Sequence, residues 1–231
     1  MNKVAKEILK LKNLERAEHS QRFFKTGKGQ YGEGDVFLGL SVPEQRKIAK
    51  SNLDVSFSEI EELLYSKYHE FRLTGLLILT YQYEKKKKDP KAIVDFYIKH
   101  RKQVNNWDLV DNTAYKILGH YLFDKDRKLL FDFAKSEHLW TQRIAVVSTL
   151  YFIKNNDFKD ALKIIGELLS HEHDLIHKAN GWMLREIGKK EEKILESFLN
   201  TNIHRMPRTT LRYAIERMPE EKRQEFLNRR R

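Results

Sequence analysis

Residues 161–169 read A-L-K-I-I-G-E-L-L, and this stretch decides the fold. Its apolar members recur at spacings of three and four, which on a helix gathers them onto one face. The same spacing runs through I-E-E-L-L-Y at 60–65 and A-I-V-D-F-Y-I at 92–98. With four prolines and ten glycines in 231 residues there are few breaks, and no alternating strand pattern with hairpin turns stands out. Helix starts are marked as well. Ser56-x-x-Glu59 has capping-box spacing, Asp89-Pro90 sets an acceptor before a first-turn proline, and Pro207 and Pro219 stand where helices would begin. The chain is expected to be all-α.

Working outward from 161–169, an internal period appears. Arg72, Asp108, Arg143, Lys178 and Arg212 are separated by 36, 35, 35 and 34 residues, each near the start of a helix that follows another amphipathic helix. Two helices per repeat at this period predict an α-solenoid, in which no unit buries its apolar face alone and neighbours stack to make the core. The expectation is one domain over 1–231, a right-handed stack of HEAT- or TPR-like pairs forming a curved body with a concave basic face, with residues 27–34 as an insertion.

Composition narrows the partners. Lys+Arg number 44 against 33 Asp+Glu, a formal net charge of +11, which favours polyanions such as nucleic acid or acidic membrane. Lysines that merely solvate the surface are the plain alternative. Zero cysteines exclude disulfides, thiol nucleophiles and thiolate metal sites. No apolar run is long enough to span a membrane, and the first residues lack the pattern of a signal peptide, so a soluble, cytoplasmic protein is expected.

Against this charge, N-N-W-D-L-V-D-N at 105–112 holds two aspartates, a tryptophan and no cation. Four of the five equivalent positions are basic, so Arg72, Arg143, Lys178 and Arg212 are expected to form a cationic stripe that Asp108 alone interrupts. Three residues on, the equivalents are Gly75, Asp111, Val146, Gly181 and Ile215, and Asp111 is again the sole charge. Trp107, Asp108 and Asp111 fall on one side of a helix. Asp108 has a structural reading, as a first-turn carboxylate behind an Asn105 or Asn106 cap. Asp111 lies too deep for that benefit, which favours a functional reading over a surface ion pair. Trp182 could be core, but Gly181 beside it would let another backbone approach an exposed phase. Trp140, by contrast, is expected to pack between repeats.

Three further features carry less. Gly27, Gly29 and Gly32 spell G-x-G-x-x-G, but they follow a helical run and no βαβ unit is present, so a dinucleotide site is not expected. Backbone amides meeting a phosphate are the better reading. His171, His173 and His177 lack the supporting acids or cysteines of a zinc site, and a polar loop is expected instead. Lys85 to Lys88 reads as a solvated helix end.

Four stretches, W-D-L-V-D at 107–111, L-W-T-Q-R at 139–143, K-A-N-G-W-M-L-R-E at 178–186 and F-L-G-L-S-V-P-E-Q-R at 37–46, resemble the AlkD family of DNA alkylation repair glycosylases over nearly the whole chain. The resemblance implies a HEAT-like solenoid that acts on double-stranded DNA as a monomer, without metal or cofactor. It implies release of N7-alkylguanine and N3-alkyladenine by hydrolysis of the N-glycosidic bond. Residues matching Asp111, Trp107 and Trp182 would line the catalytic cleft, and Arg143 would contact DNA, with recognition through backbone and deoxyribose. Two departures stand out: Phe23 occupies the place of an active-site tyrosine in some members, and the glycine-rich insertion is absent from the shorter ones. Competing readings are a non-enzymatic binder of bent or branched DNA and a protein-interaction scaffold.

Overall fold

The computed structural model describes residues 2–229. The chain forms two compact units, the first reaching Thr113 and the second beginning at Ala114. The first holds α1 (Lys3–Lys10), α2 (Leu14–Phe23), α3 (Val42–Ser51), α4 (Phe57–Leu64), α5 (His69–Glu84), α6 (Pro90–Lys99) and most of α7 (Trp107–Ala114). In the second, a π-helical turn (Tyr115–Gly119) precedes α8 (His120–Leu122), α9 (Lys128–Ala134), α10 (Leu139–Ser148), α11 (Leu150–Lys154) and α12 (Lys159–Glu167). It closes with α13 (Asp174–Lys190), α14 (Glu192–Asn202), α15 (Arg208–Ala214) and α16 (Glu220–Arg229). Among the described residues the only extended pairing is an isolated bridge between Val36 and Tyr68. No helix among them is long and apolar enough to cross a membrane.

The expected pairs are present as α4/α5, α6/α7, α9/α10, α12/α13 and α14/α15, with the five equivalent positions in the opening turns of the second members. Local chemistry sets their starts. Ser41 and Ser56 make capping boxes with Glu44 and Glu59, and Asp89 caps α6 ahead of Pro90. Pro207 sits at the N-cap of α15 and Pro219 directly precedes α16. Lys85 caps the C-terminus of α5, as the lysine run suggests.

Second helices form the cores. Residues 69–83 of α5 and 140–148 of α10 are buried throughout, so each is surrounded by protein. α5 packs against α3 and α4; in the second unit α10 packs against α9 and α13, and α13 against α15. Trp140 is buried, 6% exposed, as its sequence context implies.

Gly181 corrects an expectation. It lies on no exposed phase: it is buried, and a Cβ there would stand 2.4 Å from the Tyr213 Cβ and 2.7 Å from the Thr210 carbonyl oxygen. The backbone that approaches is that of α15, and the missing side chain sets the distance between two helices. Gly181→Ala should therefore overpack a backbone contact at a cost of about 1–3 kcal/mol. At about 2–4 °C per kcal/mol for a chain of this size, a thermal melt followed by circular dichroism reads the loss directly.

Candidate functional site

In the first unit the site is built on a buried carboxylate. Asp35 ends the glycine-rich loop and is 5% exposed. Its Oδ1 accepts from the Arg72 guanidinium at 2.5 Å, and its Oδ2 accepts from the Asn106 amide at 3.1 Å and from His69 Nδ1 at 3.2 Å. His69 Nε2 donates onward to Asp108 Oδ2 at 2.8 Å. Arg72, His69, Asn106 and Asp108 are all buried. Four ionisable groups thus share one dry cluster, two acids against an arginine and a histidine, which leaves it neutral when the imidazole is protonated.

Charge pairing outweighs burial here. Burial pushes the Asp35 carboxyl up, but the His69 hydrogen bond, the Arg72 charge and the Asn106 amide together hold it below the ordinary carboxylate value. Burial likewise opposes the charged form of His69, yet Asp108 by charge and hydrogen bond, then Asp35, raise its pKa to about 9, against the repulsion of Arg72. His69 is therefore an imidazolium at neutral pH, donating from both ring nitrogens.

The two aspartates of α7 consequently differ. Asp108 lies in the first turn, as its structural reading requires, and is engaged with His69. Asp111, one turn on, is half-buried. At the equivalent position the other four repeats bury Gly75, Val146, Gly181 and Ile215, so α7 alone places a carboxylate on a phase otherwise used for packing. Its charge reaches Tyr97, whose phenol is pushed far up by burial and further by Asp111. Next to it, Asn112 Oδ1 accepts from Arg46 at 2.7 Å, and Arg46 also donates to the Tyr81 hydroxyl at 3.1 Å.

Trp107 opens α7 from an aromatic cluster. Its N–H donates to the Asn106 side-chain oxygen at 2.8 Å, so Asn106 serves both the helix start and Asp35. Phe24 stacks on the indole at 5.2 Å with 17° between planes, and Phe23 meets it edge-on at 6.0 Å. Phe23 is 57% exposed, a large apolar side chain held at the surface beside the indole.

The uniform cationic stripe does not form. Arg72 is buried and committed to Asp35 and to the Ser66 carbonyl, because a guanidinium inside so apolar a helix needs fixed partners. Arg143 is also buried, 4% exposed, and donates to the Leu175 carbonyl. Lys178 is half-buried and pairs with Asp174 at 2.7 Å, while Arg212 is exposed and lines a groove with Arg208, Tyr213 and Arg223. Trp182, also in the second unit, is half-buried on α13.

Neither loop motif offers an open ligand set. The amides of Gly27, Gly29 and Gly32 donate to Gln30 Oε1, Glu33 Oε2 and the Lys25 carbonyl, so the phosphate reading fails: the loop supplies its own acceptors. His171 Nδ1 accepts from the His173 amide, His173 Nδ1 from the Leu175 amide as the cap of α13, and His171 Nε2 meets Gln142 Oε1, while His177, inside α13, meets the His171 carbonyl, so all three rings are committed to local hydrogen bonds. Sequence reasoning missed Asp35, His69 and Glu70. The signal was H-E-F-R at 69–72, three charged residues opening a helix whose next eleven positions include no other charge, Glu84 beyond them being the end.

With this geometry in view, the model of the DNA alkylation repair enzyme family matches residues 4–218, and the chain belongs to that family. Its role is accordingly in DNA alkylation repair, with DNA as partner. A structure from Enterococcus faecalis, described as a predicted DNA alkylation repair enzyme, is 20% identical over 90% of this chain and 97% of that one, with a TM-score of 0.72. AlkD2 from Streptococcus mutans is 15% identical over 88% and 98% respectively, with a TM-score of 0.59. The smu.31 protein from Streptococcus mutans UA159 is 17% identical over 88% and 100%, with a TM-score of 0.56. At these identities the likeness is one of fold, a helical repeat. No curated protein matches the chain.

Because the folded pKa of His69 is raised, its contribution is complete below about pH 6.5 and is lost as pH rises through about 9; Asp35, whose pKa is lowered, contributes above about pH 3.8 and loses that as pH falls. The span from 6.5 to about 9 corresponds to about 3 kcal/mol at 1.36 kcal/mol per unit. His69→Gln should cost about 3–5 kcal/mol near pH 6. In urea titrations, the gap between wild type and variant should narrow as pH rises from 7 to beyond 9.

Proposed function

We propose that the chain is a DNA glycosylase that hydrolyses the N-glycosidic bond of cationic alkylated bases, N7-alkylguanine and N3-alkyladenine, in double-stranded DNA. The observation that carries this reading is the division of labour in α7, where Asp108 is buried against His69 while Asp111 stands half-buried on a phase the other repeats fill with packing residues.

In the reaction, the C1′–N bond breaks with its electron pair passing to the base, whose positive charge is thereby neutralised. An alkylated base of this kind leaves without a proton from the protein. The deoxyribose develops oxocarbenium character, which the Asp111 carboxylate stabilises, and the same carboxylate orients a water and takes its proton as oxygen bonds to C1′. The indole of Trp107, on the same helix as Asp111, offers a negative π face to a developing cation, worth about 0.5–2 kcal/mol. Phe23 meets the sugar or a neighbouring base, and Lys178 and Arg212 serve the phosphodiester backbone, whereas Arg143 is buried and holds the Leu175 carbonyl. Arg72 is assigned to the Asp35 cluster instead.

Single-turnover release of 7-methylguanine from methylated duplex tests the acid. Asp111→Asn should slow it about 10²- to 10³-fold, equivalent to about 3–4 kcal/mol, with unchanged circular dichroism and duplex affinity. A wild type that binds DNA yet releases no cationic base would move the assignment to a non-enzymatic DNA-structure binder. A wild type that does not bind duplex at moderate salt would leave only the scaffold reading.

Binding to the phosphodiester backbone predicts a second outcome. Lys178→Ala and Arg212→Ala should each flatten the slope of log affinity against log salt by about 0.9 for every phosphate that the variant no longer neutralises. Arg72→Ala should instead lower the melting temperature.

A further inference from the structure

The glycine-rich loop folds back onto its own start. Gly32 N–H donates to the Lys25 carbonyl, and a Cβ at Gly32 would lie 2.5 Å from the Phe24 carbonyl oxygen, so only glycine lets the loop close this tightly. Glu33 reaches back to the Gly29 amide at 2.7 Å, and the far end is fixed by Asp35 in the buried cluster. What this closure places is Tyr31. It stands one residue before the tight approach, and its hydroxyl oxygen accepts from the Trp107 indole Nε1 at 3.2 Å.

The indole is thereby held in two independent ways. Phe24 lies nearly parallel against one face and Phe23 meets the ring at 69°, and neither contact stops the ring from turning within its own plane. A hydrogen bond from the single N–H to an anchored hydroxyl fixes that in-plane orientation, since indole has one donor and no acceptor. We propose that Tyr31 is a positioning residue for Trp107, and that the glycine-rich insertion is a bracket that presents one indole face to the deoxyribose of the lesion. The functional half of this proposal rests on the glycosylase reading above; the tether itself does not.

Tyr31→Phe removes the hydroxyl and keeps the ring. The chain has three tryptophans, so a ¹⁵N spectrum should show three indole N–H signals, with that of Trp107 identified by its loss in Trp107→Phe. In Tyr31→Phe the Trp107 signal should shift and exchange faster with water, while those of Trp140 and Trp182 stay in place. Single-turnover release of 7-methylguanine should fall about 3- to 10-fold with duplex affinity unchanged, the scale of one lost hydrogen bond. In a Trp107→Phe background the same substitution should have no further effect, which a merely structural role for Tyr31 would not produce. An unmoved Trp107 signal, or an equal loss of rate in both backgrounds, would overturn the proposal. If the wild type releases no base, the reaction assignment falls and the indole spectrum alone decides the tether.

Discussion

One buried carboxylate organises the first unit. Asp35 closes the glycine-rich loop, and the groups that satisfy it come from elsewhere in the chain, Arg72 and His69 from the first turn of α5 and Asn106 from the threshold of α7. Isolated in protein interior, such a charge would be strongly unfavourable; here it is balanced, and removal of Arg72 or His69 leaves the buried carboxylates short of a countercharge. The direction in which α7 departs is therefore set by ionic geometry, and Trp107, its first residue, inherits that direction.

Directly beside the cluster, Glu70 solves a related problem by other means. Its carboxylate accepts from the amides of Leu38, Gly39 and Leu40, so the F-L-G-L stretch wraps an anion supplied by the chain itself. Glu70 belongs to a short polar segment, residues 69–72, that precedes eleven buried residues of α5. A helix otherwise enclosed by protein brings its charges to its N-terminus, where backbone N–H groups and the helix dipole favour carboxylates. Two of the stretches that mark the resemblance, F-L-G-L and the glycine of K-A-N-G-W, are thus packing devices, while W-D-L-V-D combines a structural acid with a half-buried one.

What the sequence shows and what it hides divide along a physical line. Helix pairs, caps and the repeat at Arg72, Asp108, Arg143, Lys178 and Arg212 are legible because they rest on contacts within a few residues or on a regular period. Asp108 is legible as a first-turn acid, but its partner His69 is 39 residues away and no period connects them. Alignment by repeat assigns equivalent residues to equivalent rows without saying how deeply each row is covered, so Arg72 and Arg143 read as surface cations and are in fact buried. Similarly, a run of glycines reports that amides are sterically accessible and is silent on whether Gln30, Glu33 or Lys25 already occupies them.

Under the glycosylase reading proposed above, the separation of Asp108 from Asp111 splits loss-of-function changes into two kinds. Substitution within the Asp35 cluster acts on the folded fraction, and in a cell a few kcal/mol there appears as reduced abundance through proteolysis of the unfolded chain. Substitution of the half-buried acid leaves the hydrogen bonds among Asp35, His69, Arg72, Asn106 and Asp108 in place, so the altered protein would accumulate normally. A cell carrying the first kind lacks the protein, whereas a cell carrying the second keeps a full complement of molecules able to occupy DNA and withhold it from any other repair activity. The second condition is the more obstructive of the two, and it follows from three residues' spacing along a single helix.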